Sequence, residues 1–112
     1  MVEKITFRDS LTAHLEAFRT LETLEKVLLK TAEDMLSRLN NGGRVFWMGN
    51  GGSAADSQHI AGEFVSRFYF DRPGLSAIAL TTDTSILTAI GNDYGYDQLF
   101  SRQIEAVGCE GD

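Results

Sequence analysis

The residues Gly49-Asn50-Gly51-Gly52-Ser53 stand between a short apolar run and a helical pattern. A glycine-rich turn in that place lets the backbone approach a ligand, turns the free N–H groups of the next helix toward it, and uses the helix dipole to favour an anion. Ser53 adds a hydroxyl, and Asn50 adds an amide suited to a sugar hydroxyl. No Gly-Lys-Ser/Thr follows, and the glycine spacing is not that of a dinucleotide fingerprint. The same residues would also serve as a tight turn with nothing bound.

A second constellation is His59, Glu63 and Arg67, each four residues from the last, which a continuous helix stacks on one face. His59 and Glu63 could give an imidazole and a carboxylate to one divalent metal such as zinc. The spacing predicts that both point into a cleft beside the Gly49–Ser53 turn. Two ligands do not make a site, and His14 on the first helix is a poor third donor. A solvated face with a Glu–Arg pair is the simpler account of these residues taken alone. Gly91-Asn92-Asp93 sets an amide beside a carboxylate, a pair that could bind vicinal hydroxyls or assist ring opening, although Asn and Asp also form plain turns.

These groups must be positioned by the elements around them. From Phe7 to Leu39 the pattern is helical, with Leu21, Leu24, Val27, Leu28, Met35, Leu36 and Leu39 along one stripe, and Asn40-Asn41-Gly42-Gly43 stops it. Arg44 to Met48 is a nearly continuous apolar run suited to a strand buried on both faces. A helix follows from about Ala54 to Phe68, with Ser53 and Asp56 as a capping-box variant. Tyr69 to Gly74 reads as a loop, and Ser76 to Leu80 as a second strand. Thr81-Thr82-Asp83 offers an N-cap for a helix from Ser85 to Ile90, Gly91 to Gly95 interrupts it, and Tyr96 to Val107 resumes with Gly108 as its end. Trp47 and the phenylalanines are the expected core.

Composition narrows the function classes. The chain has 112 residues, 43% hydrophobic and 23% charged, which suits one globular domain over residues 1–112. Its net charge of −6 disfavours nucleic acid and anionic membranes as partners, so a bound phosphate must be held by local geometry. No apolar run approaches the roughly 20 residues of a membrane helix, the polar start is unlike a signal peptide, and Cys109 stands alone, so a cytoplasmic setting is expected.

The order helix, strand, helix, strand, helix points to an α/β layer fold. Two strands cannot cover this many apolar helix faces, and sheets usually have about 4–6 strands, so only the N-terminal portion of such a domain is expected here, with a C-terminal half absent.

The run from Gly49 to His59, then Glu63 and Arg67, then Gly91-Asn92-Asp93-Tyr94-Gly95, then Phe100-Ser101-Arg102-Gln103 with Glu105-Ala106, resembles the phosphoheptose (sedoheptulose-7-phosphate) isomerases of the sugar isomerase, or SIS, domain family. The resemblance covers essentially the whole chain. It implies a three-layer αβα sandwich with a parallel flavodoxin-like sheet, amphipathic N-terminal helices that help assemble a homotetramer, and active sites at subunit interfaces. By matching position it implies that Asn50, Gly51, Gly52, Ser53, Asn92 and Asp93 bind the sugar phosphate. His59 and Glu63 would be zinc ligands, Glu63 also the acid–base group, and Arg67 a neighbour of the site. The family's second phosphate loop and its C-terminal Gln and His ligands would lie beyond Asp112.

The implied reaction converts sedoheptulose 7-phosphate into D-glycero-D-manno-heptose 7-phosphate for lipopolysaccharide or surface-glycan synthesis. The alternative is a non-catalytic member of the same family that binds the replication initiator or senses sugar phosphates. A carboxylate at position 63 and the wording of residues 91–95 favour the enzyme.

Overall fold

The structure is a computed structural model that describes residues 4–112. The chain forms two compact units, Met1–Asp34 and Met35–Asp112, and the division falls inside a helix with no linker.

In the first unit, α1 (Phe7–Thr20) opens on a capping box between Thr6 and Asp9, in which the Thr6 N–H donates to Asp9 Oδ2 at 2.9 Å and the Asp9 N–H to Thr6 Oγ1 at 3.2 Å. The single long helix expected from Phe7 to Leu39 is interrupted by a 3-10 turn at Leu21–Leu24, before α2 (Glu25–Asn40). Two threonine hydroxyls bond back to the chain there, Thr20 to the Ala17 carbonyl and Thr23 to the Thr20 carbonyl, a local competition that bends helices. No residue of α1, the turn or α2 is buried, and Leu11, Leu15 and Phe18 are 45%, 51% and 58% exposed. The apolar stripe is present and largely exposed.

The second unit is built on β1 (Val45–Trp47) and β2 (Ala77–Ala79), paired in parallel with Val45 opposite Ala77 and Trp47 opposite Ala79. This α/β arrangement with a parallel sheet is the expected class, and both strands are shorter than the apolar runs that contain them. Helix α3 (Gly52–Val65) joins them and packs on both, with Ser57 and Ala61 buried. Small side chains at Ala61 and Ala77 permit a close approach of helix and sheet. Trp47 meets Phe64 edge to face at 5.5 Å between ring centres.

After β2 come α4 (Thr84–Asp93), a 3-10 turn (Tyr96–Gln98) and α5 (Ser101–Val107). Asp83 caps α4 by accepting the Ile86 N–H at 2.9 Å. Buried Gln103 fixes α5 to the end of β2, donating from Nε2 to the carbonyls of Leu80 at 3.1 Å and Leu99 at 2.8 Å. The core is Ala61, Ala77, Leu80, Ile90 and Leu99. Phenylalanine was expected there, but Phe7, Phe18, Phe68 and Phe70 are exposed and Trp47 and Phe64 only half-buried. The two-stranded sheet is too narrow to enclose large rings.

Candidate functional site

Because β1 and β2 run parallel, their carboxyl ends lie on one edge of the sheet, the edge at which open α/β folds bind ligands. The Gly49–Ser53 turn leaves β1 there, and Thr81 lies just past β2. Gly51 takes φ +58° and ψ −122°, a backbone conformation reserved for glycine, and a Cβ on Gly49 would lie 2.6 Å from that of Ser53. Gly51 is the N-cap of α3, so Ser53 sits inside the first turn and the expected Ser53–Asp56 capping box does not form. The Ser53 N–H returns to the Asn50 carbonyl at 3.0 Å, and the Ser53 side chain is exposed.

A cleft of about 370 Å³ opens beside this turn, between the sheet edge and α4. Its polar lining comes from Asn50, Thr81, Thr88 and Tyr96, over a floor that includes Leu87 and Leu99. Buried Thr81 donates its hydroxyl to the Ala54 carbonyl at 3.3 Å, linking the end of β2 to the first turn of α3. Sequence reasoning missed Thr81, Thr88 and Tyr96. The signal available for Thr81 was its place directly after an apolar strand run; Thr88 and Tyr96 had none.

The remaining candidates fall elsewhere. His59 Nε2 and Glu63 Oε1 come together at 3.2 Å, as their spacing predicts, with the imidazole 75% and the carboxylate 34% exposed. Neither lines the cleft. At 3.6 residues per turn they project about 140° and 180° around α3 from Ala54, which does line it, so the expectation of one shared cleft beside the turn is corrected. Arg67 lies beyond the end of α3 at Val65, so the stack His59, Glu63, Arg67 is not continued. Asn92 and Asp93 belong to the last turn of α4 and not to a break after Ile90: the Tyr94 N–H still reaches the Ile90 carbonyl at 2.8 Å, and the chain turns only at Gly95, φ +101°. Both are exposed, Asn92 Nδ2 donates to Asp93 Oδ1 at 2.9 Å, and it is their neighbour Gly91 that reaches the cleft.

As a metal centre the His59–Glu63 pair is right in kind and short in number. An imidazole nitrogen and a carboxylate oxygen on one helix face suit zinc, which takes four ligands in closed sites and three protein ligands in catalytic ones. No cluster of three or more potential ligands occurs among the described residues, and His14 stacks on Phe18 at 4.4 Å between ring centres.

Comparison with known proteins agrees with this architecture. The sequence profile described as SIS domain matches residues 6–111. A phosphoheptose isomerase of Burkholderia pseudomallei (strain K96243) is 64% identical over 102 residues, which are 91% of this chain and 50% of the relative. Among solved structures, the phosphoheptose isomerase of Francisella tularensis superposes with a TM-score of 0.81 at 37% identity, over 95% of this chain and 58% of the other. That of Neisseria gonorrhoeae gives 0.76 at 47%, over 96% and 58%. The chain spans about half the length of the relatives it matches.

Proposed function

This chain belongs to the SIS-domain family, and we propose from that premise that it carries the front half of a sugar-phosphate isomerase site, one that turns sedoheptulose 7-phosphate into D-glycero-D-manno-heptose 7-phosphate. The observation that supports this most is the glycine turn at the carboxyl edge of a parallel sheet, followed on the same helix by a histidine and a glutamate already 3.2 Å apart. The turn, with Asn50, Gly51, Gly52 and Ser53, receives the phosphate end of the substrate, and Asn92 and Asp93 take sugar hydroxyls.

Isomerisation of a ketose to an aldose moves one proton between neighbouring carbons through an enediol, while a hydroxyl proton passes from the oxygen of the first carbon to that of the second. Glu63 takes the proton from the carbon beside the carbonyl and returns it to the other, a role for which a carboxylate of half-buried character is suited. His59 and Glu63 would hold zinc with further ligands from outside these residues, and the bound cation supplies Lewis-acid stabilisation of the oxygen that gains charge. Their approach to 3.2 Å already brings an imidazole nitrogen and a carboxylate oxygen within reach of one cation.

From Ser53, His59 and Glu63 lie about 9 and 15 Å along the helix axis, at 1.5 Å per residue, and face away from the cleft. A site spread in this way is best closed by a second copy, so that the turn of one chain and the His59–Glu63 face of another meet. The exposed stripe of Leu11, Leu15 and Phe18 supports such an assembly, a homotetramer in the proposed form. A cytoplasmic setting completes the reading.

The deciding experiment is turnover of sedoheptulose 7-phosphate by the natural open reading frame that contains this chain, alongside its Glu63→Gln variant. Isomerisation that the variant lacks establishes the enzyme. Sugar-phosphate binding without turnover in the parent would instead establish a sensor or regulator.

A further inference from the structure

The last turn of α3 carries Glu63, and it is held from outside the helix. The Arg72 guanidinium donates from one nitrogen to the Glu63 carbonyl at 2.8 Å, and from another to the Phe64 carbonyl at 2.9 Å and the Pro73 carbonyl at 3.1 Å. The Leu75 N–H adds a second bond to the Phe64 carbonyl at 2.9 Å.

A helix cannot satisfy its own last four carbonyls, and a cation at that end also meets the negative pole of the dipole. α3 has neither a glycine nor an asparagine to close it: the chain leaves through Ser66 at φ −84° and ψ −107°, with only the Ser66 N–H returning to Gly62, at 2.9 Å. Its last turn, Gly62 to Val65, contains no basic residue. Arg72, seven residues beyond that turn and half-buried, supplies both the missing donors and the missing charge.

We propose that Arg72 is a positioning residue for Glu63. By gripping the carbonyls of residues 63 and 64 together it sets the backbone from which the Glu63 side chain projects, and so the angle at which its carboxylate meets His59. A planar guanidinium fork bridges two neighbouring carbonyls at fixed geometry, whereas an ammonium is a single point donor. Arg72 acts on the base and not on the substrate, because its guanidinium is already engaged by the carbonyls of Glu63, Phe64 and Pro73. The inference rests on the role assigned to Glu63 above.

The test uses Arg72→Met and Arg72→Lys in the natural open reading frame that contains this chain. Four quantities are measured: kcat and KM for sedoheptulose 7-phosphate, affinity for zinc by chelator competition, amide exchange at Ser66 and Leu75, and thermal midpoint. Arg72→Met should speed exchange at both amides, lower kcat about 10-fold, hold KM within about twofold, and weaken zinc by a similar factor, the scale at which supporting contacts of metal ligands act. Arg72→Lys should recover part of each loss. Parental kcat and zinc affinity in the Met variant, with faster exchange or a lower midpoint alone, would overturn the proposal and leave Arg72 a helix cap. If the Met variant does not fold, the Lys variant decides: kcat must fall at constant KM, and a parental kcat sinks the idea. If the parent protein does not isomerise the sugar phosphate, the functional reading fails, and zinc affinity judges Arg72 by itself, with weakening in support and no change against.

Discussion

The two faces of α3 differ in how they are made. On one, the Gly49–Ser53 turn and the cleft beside it are fixed by backbone: a positive φ at Gly51, a contact at Gly49 that excludes a side chain, and a buried Thr81 tied to Ala54. On the other, His59 and Glu63 meet only through their side chains, one of them three-quarters exposed. A backbone-built site exists as soon as the domain folds. A side-chain pair on an open face needs further protein to exclude water from it, so the first face should tolerate little local change in shape and the second, in the proposed role, little change in chemistry.

The largest effect expected is at Glu63. Gln keeps the size but cannot accept the proton, so turnover should fall about 10²–10⁴-fold, while affinity for the sugar phosphate stays within a few-fold. Equal loss of turnover and affinity would merge the two faces into one site and break the contrast. Zinc content, measured alongside, separates loss of base from loss of metal.

On the backbone-built face, Gly51→Ala forces a side chain into φ +58° and should cost about 1–3 kcal/mol in urea unfolding. Phosphate affinity should drop with it and zinc affinity should not. An unchanged unfolding midpoint would show that the turn relaxes freely.

Thr81→Val removes a buried hydroxyl that bonds the Ala54 carbonyl, so a loss of about 1 kcal/mol is expected, together with weaker substrate binding. Parental KM in this variant would remove Thr81 from the binding surface and leave it a strut.

The smallest effect concerns the end of the chain, where Arg44 donates to Asp112 at 2.8 Å and to the Val107 carbonyl at 2.7 Å. The Arg44 side chain and the Cys109 N–H hold the Asp112 carboxyl below the usual carboxylate range. A pKa lower in the folded than in the unfolded state adds stability above the unfolded value of about 3.9, and that stability is lost as pH falls through the folded value. Asp112→Asn should therefore flatten the fall of thermal midpoint in acid below about pH 4, with both faces of α3 unaffected. An identical acid profile in the variant would count the pair as a surface contact without consequence.

The glycine turn was legible because its requirement is local: glycines at fixed places, a strand run before and a helix pattern after. The i, i+4 spacing likewise fixed the His59–Glu63 contact. Less legible was the end of α3, predicted at Phe68 and found at Val65, since its closure depends on Arg72 from the next loop. Asn92 and Asp93 were expected in a break that α4 runs through, because one glycine inside a capped helix costs only about 1 kcal/mol and does not end it. The core was misjudged for a similar reason: hydrophobicity names Phe7, Phe18, Phe68 and Phe70 as candidates but says nothing of whether a surface faces them.

The order of the elements and the glycine turn between β1 and α3 were thus determined by the sequence itself, each resting on neighbours within a few residues along the chain. Tertiary structure alone decided which way each element faces. The parallel pairing of β1 and β2 brought Thr81 to the glycine turn, α4 closed the cleft with Thr88, and the helical phase of α3 turned His59 and Glu63 away from it. The first two outcomes depend on contacts between residues some 27 or more positions apart, such as Thr81 with Ala54, and the third on which side of α3 the sheet and α4 leave for the cleft.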